Sequence, residues 1–147
     1  MANAFFSLTD LLFMVLLAWC SVSDLKKREI PNAAILLMQG LAAAHLIGAV
    51  CLGKAWYGYL IGALLAIPFF IAWMKGLFGG GDVKLLFAIG LYLGISLTLV
   101  SLAFALVVCI CMVIRRAVSR RGIRVRLPLA PVLSIGAVMA VAPNYLF

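Results

Sequence analysis

About six apolar runs separated by short basic loops constrain this chain more than any other feature. The runs cover approximately 4–23, 31–52, 56–74, 83–93, 96–114 and 127–147. Most approach the roughly 20 residues that cross a hydrocarbon core. Composition points the same way. The 147 residues are 67% apolar and 11% charged, and mean hydropathy is +1.26. Soluble domains are near half apolar and about a quarter charged. The chain is therefore expected to be all-α, a polytopic bundle of about six transmembrane helices forming a single integral membrane domain over residues 1–147.

The fourth run is short, and its separation from the fifth, at Gly94-Ile95-Ser96, is weakly marked. About 30 residues is too long for one crossing, so the two are read as a tight hairpin. Orientation follows from charge. With the amino terminus outside, the first, third and fifth loops face the cytoplasm. They carry Lys26, Lys27 and Arg28, then Lys75 and Lys84, then Arg115, Arg116, Arg120, Arg121, Arg124 and Arg126. Only Lys54 of the 12 basic residues falls on the other side, as the positive-inside rule requires. The same loops account for the net charge of +8 through orientation and contact with anionic lipid, and not through nucleic acid. The first run lacks a basic leader and a small-residue cleavage site, so it is expected to persist as an uncleaved helix.

Packing devices are visible. Gly40, Ala44 and Gly48 form a small-residue row, and Gly58–Gly62 and Gly90–Gly94 are GxxxG pairs; small residues let helices approach where lipid offers no hydrophobic drive. Pro68 should kink the third helix. Cys20, Cys51, Cys109 and Cys111 lie inside apolar runs without a CxxC. They are expected to be buried free thiols, with neither disulfide nor metal site.

The chain has four acidic residues, and two stand out. Asp24 is expected to follow the first helix and Asp82 to precede the fourth, which places both on the cytoplasmic face at one depth. That arrangement suits aspartic proteolysis. One ionised carboxylate takes a proton from water, while its protonated partner hydrogen-bonds the scissile carbonyl; two like charges held close share a proton and titrate as a unit. Glycines before Asp82 clear space for a peptide backbone and permit unusual dihedrals. Structural readings stand beside this one. Asp82 suits a helix N-cap, and Asp24 has Lys27 and Arg28 at helical spacing. Placement by itself leaves both readings open.

The surrounding residues resemble a known family. Gly79-Gly80-Gly81-Asp82-Val83-Lys84-Leu85-Leu86 is similar to the GxGDxK-L stretch of type IV prepilin peptidases, which are GxGD intramembrane aspartyl proteases. Asp24-Leu25-Lys26-Lys27-Arg28-Glu29-Ile30-Pro31-Asn32 resembles that family's Asp, basic stretch and Ile-Pro-Asn segment. Leu127-Pro128-Leu129-Ala130-Pro131-Val132-Leu133 resembles its proline-containing entry to the last helix. The resemblance implies a membrane endopeptidase that removes prepilin leaders at the cytoplasmic face of the inner membrane. Asp24 and Asp82 would be the catalytic pair, supported by Gly79 and Gly81. Substrates would carry a basic leader, a glycine before the cut and an apolar helix after it. Without paired CxxC motifs the chain looks like the short Tad/Flp-type form, for which methyl transfer and S-adenosylmethionine are not expected; no cofactor is.

Other polar residues rank below the pair. Lys84 is a candidate for holding substrate or a lipid phosphate, and Glu29 for meeting the leader's basic residues or pairing with neighbouring cations. Gln39 and His45 are expected to hydrogen-bond between helices. Asp10 should lie at the outer end of the first helix, too far from the pair to join it. The competing class is a non-catalytic membrane scaffold or small transporter of the same architecture.

Overall fold

The computed structural model describes residues 2–27, 29–76, 79–118 and 129–141. They form helices: α1 (Ala2–Lys27), α2 (Asn32–Cys51), α3 (Tyr57–Leu64), α4 (Ala66–Met74), α5 (Gly80–Val118) and α6 (Leu129–Val141). Four stretches are long and apolar enough to cross a bilayer: Phe6–Lys27, Asn32–Cys51, Tyr57–Met74, which joins α3 to α4, and Gly80–Cys111. Large side chains such as Leu36 and Met74 point outward with more than two-thirds of their surface exposed, as befits faces meant for lipid. This is a multi-pass helical membrane protein.

Two expected breaks take a definite form. Pro68 lacks the N–H that would bond the Leu64 carbonyl. The third run parts there into α3 and α4, with Leu65 between them donating back to Gly62 O at 3.2 Å. Gly94 interrupts α5 with φ 74° and ψ 177°, a backbone state open in practice only to glycine. Ser101, seven residues on, donates from Oγ to Leu133 O at 3.2 Å. Leu133 is adjacent to Ser134, whose Oγ reaches Leu17 O of α1 at 3.5 Å. Ser101 therefore lies level with the middle of α1, and the arm after Gly94 folds back along α6.

Helix α1 runs antiparallel to α2 and to α6, and α3 runs antiparallel to the part of α5 before Gly94, whereas α2 runs parallel to that part, with Ile30 near Gly81 and His45 near Tyr92. α1 meets α2 through Cys20–Met38 and Thr9–His45, and meets α6 through Leu17–Ser134. The two GxxxG pairs face each other across α3 and α5. A Cβ on Gly62 would fall 2.7 Å from the Gly94 carbonyl carbon, and one on Gly90 would fall 2.6 Å from that of Gly62. By contrast, a Cβ on Gly40 would meet nothing within 4 Å, and Ala44 is exposed. The expected Gly40–Ala44–Gly48 row is thus not the packing face of α2. That face is Ala34, Ile35, Met38, Ala42, His45 and Ala49, at the spacing of one helical stripe.

Three further expectations are corrected. Helix α1 continues through Asp24 to Lys27, and α5 begins before Asp82, because local hydropathy marks the lipid core and not where hydrogen-bonded turns stop. All four cysteines are free, but only Cys20 is buried; Cys51 and Cys111 are exposed on outer faces. Helix α5 also runs past the fifth apolar run to Val118, taking Arg115 and Arg116 into helix. Arg28 and the rest of the arginine-rich loop, Arg120, Arg121, Arg124 and Arg126, lie outside the described residues.

Candidate active site

Asp24 sits in the last turn of α1. Ser23 Oγ donates to the Glu29 carbonyl at 3.0 Å, drawing the connection to α2 back against the helix end. Asp24 is only 8% exposed. It accepts a hydrogen bond from the backbone N–H of Ala130, in the first turn of α6. Helix amino ends leave such N–H groups without intrahelical partners, and their dipole supports negative charge. The second oxygen, Oδ2, is buried without a hydrogen-bond partner among the described residues. A buried polar atom left unpaired is costly, so this oxygen is poised to bond water, a proton or a bound carbonyl.

Asp82 is the third residue of α5, within its first turn. The helix opens with Val83 N–H donating to Gly79 O at 3.4 Å. Asp82 is therefore not the N-cap, and the bland explanation for an aspartate here loses its geometry. The three glycines before it answer to three different neighbours. A Cβ on Gly79 would lie 2.9 Å from Asp82 Oδ2, one on Gly80 would lie 3.0 Å from Trp73 Nε1, and one on Gly81 would lie 3.3 Å from Ile30 Cβ. Gly81 thus lets the start of α5 rest on Ile30, in the connection that follows Asp24. Asp24 lies close enough for its charge to act on Asp82.

The fold accordingly gathers Asp24, Asp82, Gly79 and Gly81 at one end of the bundle. Lys84 and Glu29 are exposed beside them. Lys84 borders a cavity of about 250 Å³ that Gln39, Ala63, Ile67, Phe70 and Val83 also line. Among the described residues no group of three or more His, Cys, Asp or Glu side chains could hold a metal ion. Sequence reasoning missed Ala130, Ile30 and Trp73. Ala130 and Ile30 were inside quoted motif segments, but nothing local said which atom each would present. No sequence signal marked Trp73.

His45 and Asp10 belong elsewhere. Thr9 Oγ1 donates to Phe6 O at 2.9 Å and lies 3.3 Å from His45 Nδ1, so its oxygen is left to accept from the ring. Tyr92 OH donates to Asp10 Oδ1 at 2.5 Å. This second polar cluster is far up α1 from Asp24.

The fold is that of a multi-pass helical membrane protein carrying two carboxylates at one end of its bundle, one of them in the first turn of an apolar helix and framed by glycines. Residues 11–114 match the model of the type IV leader peptidase family, and the chain belongs to that family. The matched stretch contains both Asp24 and Asp82; α6, which supplies the Ala130 N–H, lies beyond it. The chain is also 31% identical over 133 residues to the Prepilin leader peptidase/N-methyltransferase of Bacillus subtilis (strain 168), covering 87% of this chain and 52% of that protein. It therefore spans about half the length of this curated relative. No solved structure matches it.

Proposed function

We propose that this protein is an aspartic endopeptidase that removes the leader of type IV prepilins, with Asp24 and Asp82 as its catalytic pair. The observation that carries the proposal is the convergence of two carboxylates, 58 residues apart in sequence, at one end of the bundle, with one Asp24 oxygen buried and without a hydrogen-bond partner among the described residues. In the reaction, one carboxylate in its ionised form takes a proton from water as the oxygen attacks the scissile carbonyl carbon. The protonated partner hydrogen-bonds the carbonyl oxygen. Collapse of the tetrahedral intermediate breaks the C–N bond, and a proton passes to the leaving amine. Burial and mutual charge favour a single negative charge shared by the pair.

The distribution of Lys and Arg supports six crossings with the amino terminus outside and the active site at the cytoplasmic face. A prepilin would then present its basic leader to the cytoplasm and its apolar helix to the bilayer. Glu29 is exposed where it can meet leader lysines, and Lys84 is exposed where it can meet a backbone carbonyl or an acidic group. Gly79 and Gly81 support the motif by keeping side chains away from Asp82 and Ile30. The test is leader removal from a co-expressed prepilin, followed as a gel shift. Asp24→Asn and Asp82→Asn should each slow processing by at least about a hundredfold, whereas full processing by both variants would refute the proposal.

A further inference from the structure

The two helices that carry the carboxylates are joined indirectly. α1 packs on α2 and α6, whereas α5 packs on α3, α6, α2 and α4. Among the described residues, α1 and α5 make no extended backbone approach to each other. The gap is filled by side chains of the buried core, and Tyr92 bridges it with a hydrogen bond as well as packing. Its hydroxyl donates to Asp10 Oδ1. Its ring stacks on Phe13 with centroids 3.9 Å apart and planes 7° from parallel. His45 of α2 closes the other side, 4.3 Å from the Tyr92 ring, and is itself held by Thr9. Tyr92 is 2% exposed.

We propose that Tyr92 and Asp10 form a positioning clamp that sets the spacing and register of α1 against α5, and through it the alignment of Asp24 with Asp82. The inference rests on the catalytic reading of that pair. Asp10 is about four helical turns from Asp24 on α1, and Tyr92 is about three turns from Asp82 on α5. The same helix pair is therefore tied by a hydroxyl–carboxylate bond at one end and carries the two carboxylates at the other. Straight helices are stiff over such lengths, so a bond that fixes separation at one end fixes it at the other. The stacked ring supplies burial, which any large apolar side chain can replace. The hydroxyl supplies length and direction, which it cannot. Small misplacements of reacting groups are expensive, since about 1 Å can cost on the order of a hundredfold in rate.

The experiment uses the full chain in proteoliposomes with a purified type IV prepilin as probe. Tyr92→Phe keeps the stack and removes the bond to Asp10. It should lower kcat on the order of tenfold, leave KM unchanged, and alter the separation of the two limbs of the pH–rate profile, because the coupling of two carboxyls depends on their distance. Asp10→Asn retains an acceptor oxygen and should keep the wild-type kcat and profile. Asp10→Ala should behave as Tyr92→Phe, and the double variant should be no worse than either. Wild-type kcat and pH profile in Tyr92→Phe, measured per folded molecule, would overturn the clamp while Asp24→Asn and Asp82→Asn remain inactive. Wild-type processing by those two asparagine variants would instead sink the catalytic reading, and the clamp with it.

Discussion

Asp24 and Asp82 differ in what holds them, and that difference makes separate predictions. Asp24 is anchored by a backbone N–H from another helix; Asp82 leans over Gly79, where a Cβ would come within 2.9 Å of its Oδ2. Gly79→Ala should therefore displace the Asp82 carboxylate. The obstacle is the far end of a side chain, so the fold should tolerate it. We expect kcat for leader removal to fall several-fold while the thermal midpoint in detergent stays near wild type. The pair as a unit predicts a bell-shaped dependence of processing on pH. At low pH both carboxyls are protonated and neither takes water's proton; at high pH both are ionised and neither holds the carbonyl oxygen. A rate that rose monotonically with pH would contradict a shared-proton pair. At this scale the sequence was informative about residue identity and silent about contacts. The GxGD pattern singled out Asp82, but the N-cap alternative fell only when the first turn of α5 was seen to start at Gly80.

Among the elements, the helix amino ends and the glycine contacts decide most. The Ala130 N–H belongs to the first turn of α6, where proline costs no intrahelical hydrogen bond. Ala130→Pro should preserve α6 and remove the donor to Asp24, lowering kcat on the order of tenfold, about the worth of one hydrogen bond to a charged group. Leader-removal kinetics with a thermal melt of the same sample check this. The GxxxG pairs separate by position. Gly90→Ala places a Cβ 2.6 Å from Gly62 backbone and should destabilise the bundle by about 1–3 kcal/mol. Gly58→Ala meets nothing within 4 Å and should melt as wild type. Both glycines belong to equally good GxxxG pairs in the sequence. A motif reports that close approach is possible, whereas the rotation of each helix about its axis chooses which glycine is approached. The Gly40 row fails for that reason.

Taken as a whole molecule, the protein gathers its candidate chemistry at one end and leaves the rest of its surface to lipid. If the site faces the cytoplasm, single cysteines at Lys26 and Lys84, in a background cleared of native cysteine, should react with an impermeant maleimide only after the cytoplasmic face is opened. A cysteine at Lys54 should react from outside. Labelling of all three from one side would overturn the proposed topology. The helical class, the membrane setting and the approximate course of the apolar runs were legible without coordinates. Hydropathy and charge act locally and additively, so a sum along the chain suffices for them. The break at Gly94 was legible in place, because only glycine adopts its backbone state, but its consequence was not. Whether the chain reverses depends on what Ser101 touches, and that partner lies 32 residues further on.

Sequence alone determined that this chain enters a membrane as helices, that its cations are asymmetrically placed, and that two rare acids flank apolar segments in a recognisable family pattern. Each of these follows from residue chemistry over a span of some twenty positions. Tertiary structure decided that Asp24 is buried against the amino end of α6, that Gly81 rests on Ile30, and that Tyr92 spans from α5 to Asp10. Those contacts join residues separated by 106, 51 and 82 positions. They depend on helix rotation and crossing, which are settled by packing the whole bundle at once and leave no periodic trace in any one segment.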